Sequence, residues 1–321
     1  MVTTGYSWET DSNVDDTEII DIFDPEKTCT APDFPNVASG AIGGLVNGDV
    51  PMICDAKECY KLTSQGFDFI TTTSFWASAG VAIQDKLLLT DHSYSEFITL
   101  TGEKTPGPPM PDPGVRYQCM VKIDERTIMM IGGFDNPTAQ TTNKTYFLNV
   151  ETGAWSRGPD MLVGRAFMGC DIHEYEGKRY VLTIGGLWYD GTASVLPYIQ
   201  AVESLELDSI NPQWKLGKYK YIQLIKHHFH FKAFPLKLVE AYFISDTHLP
   251  IYLFDLQAVS IGNRLLAIGG STIEHSSSLD IYEFICQTGR SCTWEKLQSQ
   301  LKIPRVGFAA MPIPKPLITC N

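Results

Sequence analysis

The sequence predicts an all-β protein, a closed ring of six small antiparallel sheets forming a β-propeller. Three observations lead there. A unit of strand, Gly-Gly, polar loop, alternating strand, turn and Trp occurs three times in clear form. Three eroded copies precede those at comparable spacing. The first copy lacks an opening strand, and the last segment of the chain supplies one.

The clear copies are TIMMIGGFDNPTAQTTNKTYFLNVETGAW from Thr127, RYVLTIGGLWYDGTASVLPYIQAVESLELDSINPQW from Arg179 and RLLAIGGSTIEHSSSLDIYEFICQTGRSCTW from Arg264. In each, a Trp follows the second glycine, by 22, 28 and 24 residues respectively. The eroded copies run Val2–Cys29, Val50–Phe67 and Lys86–Gly107, with Cys54-Asp55 and Thr90-Asp91 in the diglycine place of the latter two. The second position of the pair then falls at residues 5, 55, 91, 133, 186 and 270.

Each unit reads as a small meander. The apolar runs MMIGG and VLTIGG suit a strand buried on both faces, and the glycines permit a bend and close backbone approach where that strand ends. Tyr146–Val150 alternates in the manner of a strand with two different faces, and Glu151-Thr152-Gly153 turns the chain into the strand of Trp155. A further strand is expected before each pair, over Gln118–Ile123, Phe167–Ile172 and Ala258–Ile261. One such sheet cannot bury both of its faces alone, so stability must come from sheet-on-sheet contact, with each Trp filling the wedge between neighbours. Arg305–Met311 reads as an opening strand with no unit after it. Set beside Val2–Gly5, it closes the ring as a hybrid blade.

The three clear segments resemble the kelch repeat. That resemblance implies a six-bladed kelch-type β-propeller with four-stranded antiparallel blades, spanning residues 1–321 as one unit. The interval between the last two marks is 84 residues, too wide for one blade. Inside it, residues 218–254 change composition abruptly, with five Lys, no Gly, nine aromatic residues and four of the seven His in the chain. This stretch is read as an insertion between blades, and removing it restores the spacing of the other units.

Charge and composition exclude several functions. With 25 Lys and Arg against 37 Asp and Glu, the net charge is −12, which argues against a phosphate-binding surface and hence against a nucleic-acid partner. No apolar run approaches the ~18 residues of a spanning helix, and the N-terminal residues carry no signal peptide. The eight cysteines include two close pairs, Cys54/Cys59 and Cys286/Cys292, whose spacing suits hairpin disulfides. Cys29, Cys119, Cys170 and Cys320 leave three pairings open. Asn143-Lys144-Thr145 is an N-glycosylation sequon in a loop. Together these favour an oxidising compartment and a secreted glycoprotein, with a cytoplasmic protein as the alternative.

No catalytic constellation, metal set or cofactor is expected. His227, His228 and His230 stand between Lys226 and Lys232, which repel a cation. His92, His173 and His275 are isolated, whereas the galactose-oxidase-like copper enzymes that share these blades need paired His and Tyr ligands. GxSxG, phosphate-loop and zincin motifs are absent. Binding residues are taken from repeat position. Arg116, Arg165 and Arg305 precede first strands, where kelch-type ubiquitin-ligase adaptors carry arginines that capture acidic peptides. Tyr6, Phe134, Leu187 with Trp188, and Ser271 follow the pair on the same rim. The expectation is a monomeric, non-catalytic module that binds a protein or glycan through its face loops. An intracellular substrate adaptor and a copper oxidase are the alternatives.

Overall fold

A computed structural model describes residues 1–24, 27–36, 39–55, 57–111, 114–135, 137–191, 198–216, 248–274, 276–287, 292–314, 317 and 319–320. The strands form six antiparallel sheets that carry the ring, with two further two-stranded ladders. Blade 1 is the hybrid: Ala309–Ala310, Val2–Thr3, Thr17–Ile20 and Thr28–Thr30, with Thr319–Cys320 added at the outer edge. Blade 2 is Ile42–Val46, Val50–Asp55, Glu58–Thr63 and Gly66–Thr72. Blade 3 is Ala79–Ile83, Lys86–Asp91, Tyr94–Thr99 and Lys104–Pro106. Blade 4 is Cys119–Lys122, Thr127–Ile131, Thr145–Asn149 and Ala154–Arg157. Blade 5 is Gly169–Tyr175, Lys178–Ile184, Glu203–Glu206 and Trp214–Leu216. Blade 6 is Gln257–Ile261, Arg264–Ile268, Ile281–Ile285 and Thr293–Lys296.

The six marks all fall at or just beyond the end of a second strand, as the repeat requires. Closure is as expected: Val2 pairs with Ala310 and Thr3 with Ala309, which sets Phe308 beside Thr4. The sequence did not suggest Ile42–Val46 as a first strand, because Gly43-Gly44 within it reads as a turn. The cause is crowding round the axis. A Cβ on Gly44 would stand 2.7 Å from the Cβ of Ala82 on the next first strand.

The core divides by seams, one apolar cluster at each blade-to-blade contact. Val2 and Phe308 of blade 1 meet Leu266 and Ile268 of blade 6, and Leu182 and Ile184 of blade 5 meet Phe284 and Trp294 of blade 6. Trp155 packs against blade 3, Trp214 against blade 4 and Trp294 against blade 5, so each fills the wedge toward the preceding blade. Burying an aromatic side chain of this size stabilises by about 2–3 kcal/mol, and only the neighbouring blade supplies the cover.

Of the basic stretch read as an insertion, residues 218–247 lie outside those described, as do His227, His228 and His230. The part from His248 onward belongs to the propeller itself. Leu249 and Leu253 are buried at the seam between blades 5 and 6, and the Leu253 carbonyl accepts the Gly186 amide at 2.9 Å.

Disulfides join Cys54 to Cys59 and Cys286 to Cys292, the two expected hairpin pairs. A third joins Cys119 to Cys170 across two blades, with Cα atoms 6.0 Å apart. Cys29 is also disulfide-bonded, and its strand places it opposite Cys320. No cysteine among the described residues is free. No helix among them is long and apolar enough to cross a membrane.

Candidate functional site

The two faces of the ring are built differently. One carries the turns between first and second and between third and fourth strands. The other carries the connections from second to third strand and from one blade to the next. On that second face, the mouth face, the chain enters each first strand, and an axial cavity of about 740 Å³ is walled by the first strands of all six blades.

The diglycine positions explain how the wall is held. Gly132 and Gly133 have φ of +60° and +102°, and a Cβ on Gly132 would lie 2.5 Å from the Arg165 carbonyl. The residue after each pair then bridges to the connection entering a first strand: Tyr6 to Val306, Phe134 to Arg116, Leu187 to Ala166 and Ser271 to Phe254.

That register decides the fate of the three arginines. Arg165 and Arg305 stand one residue before the bridging position and point inward, each fully buried. Arg165 donates to the carbonyls of Gly185 (3.2 Å) and Ala201 (2.7 Å) and pairs with the buried Glu203. Arg305 donates to the carbonyls of Thr4 (3.0 Å) and Asp16 (2.8 Å) and pairs with Glu18. Burial pulls the Arg305 guanidinium below its ordinary value, and the Glu18 and Asp16 carboxylates oppose that. Each glutamate also accepts two backbone amides from the connection, Leu162 and Val163 for Glu203, Lys302 and Ile303 for Glu18. These two arginines therefore tie a blade together and do not reach a ligand, which corrects the expected ring of three.

Arg116 sits one position later, at the bridging residue itself. Because side chains alternate along an extended chain, it turns outward, half-exposed, with its guanidinium 5.4 Å from the Tyr117 ring centroid. Phe134, Tyr6 and Trp188 are also half-exposed on this face. The Asn143 side-chain amide donates to the Met161 carbonyl at 2.9 Å.

The next position lines the mouth, and repeat matching had passed over it. Tyr117, Phe167, Asp255 and Gly307 each lie two residues before a first strand, with φ between +55° and +59°. A left-handed backbone is costly for a bulky residue, so its retention in two aromatics is a functional pointer. Their backbones form a relay round the axis. Tyr117 N–H donates to Ser78 Oγ (3.3 Å), Phe167 N–H to the Tyr117 carbonyl (3.1 Å), and Asp255 N–H to the Phe167 carbonyl (2.7 Å). Gly307 donates to the Asp255 carboxylate, and Gly40 N–H donates to the Gly307 carbonyl (2.7 Å). Aligning the copies on their first strands would have revealed this position.

The mouth is consequently lopsided. Tyr117 and Phe167 stack with centroids 4.2 Å apart, and Phe134 meets both edge-on and Tyr189 beyond. Among the described residues the opposite arc is lined by small side chains, Gly40, Ser78 and Gly307 with them, flanked by Tyr6 and the exposed Trp8, whose rings meet at 5.0 Å. Burial pushes the Asp255 carboxyl up from 3.8 to about 6, with the Gly307 amide opposing. Deeper in, burial also raises Asp171, although it accepts the amides of Ile172 (2.8 Å) and Ser260 (2.6 Å). His173 is buried against Phe284 and held neutral by burial, while His92 contacts Asp91. His275 lies outside the described residues. No grouping of three or more metal-ligating side chains occurs among those described.

A ring of six antiparallel blades, a bend after each second strand, a Trp in the outermost strand of three of them and closure by both chain ends together define a six-bladed β-propeller. No family model and no curated protein matches the sequence. The fold is similar to a solved structure titled "Structure of YjhT", with a TM-score of 0.58 and 10% identity over 83% of this chain and 86% of that one. At that identity the likeness speaks for the fold alone.

Proposed function

We propose that this propeller is a non-catalytic binding module of an oxidising, extracellular setting, taking a protein or glycan partner on its mouth face. The observation that carries the reading is the concentration of exposed aromatic and aliphatic side chains there. Among the described residues, Trp8, Trp76, Tyr94, Leu162 and Ile273 are exposed in or beside mouth-face connections, against Phe23 and Ile210 in turns of the other face and Phe69 in an outer strand. Aromatic rings round a concave opening are the usual furniture of recognition surfaces. The cross-blade Cys119–Cys170 bond supports the compartment, since such bonds persist outside the reducing cytosol. A substrate adaptor working in the cytosol is the less favoured reading for the same reason.

Two measurements test this. Thiol titration of the denatured, unreduced protein is expected to find no free thiol, and eight would overturn the compartment. Screening against protein and glycan ligands should yield binding that Trp8→Ala or Phe134→Ala abolishes and that Arg126→Ala, on the opposite face, leaves unchanged. Binding indifferent to the two aromatic variants would remove the mouth face from the proposal.

A further inference from the structure

This inference rests on the reading just given and names the chemistry of the partner. We infer that the mouth face receives a basic protein segment, with one lysine or arginine side chain entering the axial cavity between the Tyr117–Phe167 stack and Asp255. Four independent features point the same way.

First, the second-to-third-strand loops of three blades are acidic, although the connection entering blade 6 carries five Lys in sequence. The connection 4–16 of blade 1 carries Glu9, Asp11, Asp15 and Asp16 with no Lys or Arg, and those of blades 5 and 6 add Asp190 and Glu274, again without a base. Second, the cavity itself holds two carboxylates, Asp255 at the mouth and Asp171 below, and neither forms an ion pair among the described residues. Asp255 is held by the Gly307 amide, and Asp171 by the amides of Ile172 and Ser260 and the Ser260 side chain, so Asp255 above all retains acceptor capacity. Third, Gln118 borders the cavity with only 5% of its surface exposed. Its side-chain Nε2 donates to Thr90 Oγ1 at 2.8 Å, while its Oε1 has no hydrogen-bond partner among the described residues. A buried, unused acceptor calls for a donor. Fourth, the aromatic wall suits a cation, whose charge is attracted to ring faces when water is excluded.

The same facts weigh against an acidic ligand. Arg165 and Arg305 are consumed inside their blades, leaving Arg116 as the arginine of the expected trio that meets solvent. Its guanidinium rests on Tyr117, at the outer rim. An anionic segment would face Asp255 and Asp171, offset by Arg116 at the rim and by Lys122, which lines the cavity and pairs with Glu125.

The probes are short fluorescent peptides of alternating Lys and Gly, Arg and Gly, and Glu and Gly, measured by anisotropy with the disulfide-intact chain at low and raised salt. The Lys and Arg peptides are expected to bind, more weakly as salt rises, and the Glu peptide not to bind. Asp255→Asn keeps the size of the side chain and an acceptor for Gly307, and should weaken the basic peptides by about tenfold or more. Phe167→Leu should weaken them by a smaller factor, while Glu151→Gln on the opposite face should not change them. Equal or tighter binding of the Glu peptide, or basic binding indifferent to Asp255→Asn, overturns the inference. So does failure of the basic peptides to bind at all. If a glycan or the Glu peptide then binds in a manner lost on Trp8→Ala, the mouth face stands as the binding face and only the basic partner falls.

Discussion

Blades 1 and 5 and blades 4 and 6 fill the same two ladder positions in opposite ways. Two residues before the bend that ends the second strand, the partner on the third strand is Glu18 opposite Val2 in blade 1 and Glu203 opposite Thr183 in blade 5. At the same register it is Tyr146 opposite Met130 in blade 4 and Tyr282 opposite Ala267 in blade 6. The facing residue from the connection changes in step. It is Arg305 or Arg165 where the strand carries glutamate, and the buried Val115 or Leu253 where it carries tyrosine. One backbone thus accepts a buried ion pair or an aliphatic–aromatic contact, provided both members change together. The glutamate brings a further duty. It collects two amides of the connection, and in blade 6, where it is missing, Pro250 stands in place of one such amide donor.

The largest effect should come from breaking one member of a pair. Arg165→Ala leaves Glu203 charged and enclosed, and should cost about 3–5 kcal/mol in urea unfolding. Arg165→Val with Glu203→Tyr, which transplants the solution of blade 4, should recover part of that loss. The remainder should reflect the orphaned Leu162 and Val163 amides at about 1–3 kcal/mol, and adding Val163→Pro should reduce it. If the double variant were no better than Arg165→Ala, the two solutions would not be interchangeable.

Covalent ties permit a second contrast. Replacing Cys119 and Cys170 together by Ser frees a cross-link spanning 51 residues, against 5 for Cys54 and Cys59. On chain-entropy grounds the losses should be about 4 and about 2 kcal/mol. Equal losses would mean that native packing, not chain freedom, governs both.

A buried carboxylate without an arginine should show itself in the pH dependence of stability. Asp255 binds its proton more tightly in the folded chain, with a value near 6 against 3.8 unfolded. Between those values the folded state holds more protons, so stability from this group is full below about pH 4 and is lost as pH rises through 6. Asp255→Asn should therefore flatten that slope and raise stability at pH 7 by up to about 3 kcal/mol, read from unfolding midpoints against pH. An unchanged slope would show that the carboxyl is not the titrating group. At the bottom of the scale, Arg126→Ala removes an ion pair with Glu151 whose side chains are 69% and 50% exposed. A change of no more than about 0.5 kcal/mol is expected there.

Fold was legible because a blade repeats its chemistry. A bend after the second strand and a Trp in the fourth recur at positions that spacing alone can find. The hybrid blade could be read because Arg305–Met311 looks like a first strand without a unit. The binding site was less legible because it turns on single-residue register. Arg116 and Arg165 look alike in GVRYQC and GRAFMGC, yet a step of one residue sends one outward and the other into the blade. Leu249 and Leu253 were hidden because an abrupt change in composition does not coincide with a structural boundary. Thr319–Cys320 is too short to announce itself as an added outer strand. Asp255 is an ordinary acid in sequence, and acquires its character from burial at the axis, against which the Gly307 amide, from the far side of the ring closure, works.

The amide relay round the mouth has one last implication. Its joints at Tyr117, Phe167 and Gly307 accept through main-chain oxygen, which any residue offers, whereas those at Ser78 and Asp255 accept through side chains. Of the joints named, these two alone depend on which side chain is present. Exchange of either residue would retune the iris without disturbing the blades that carry it.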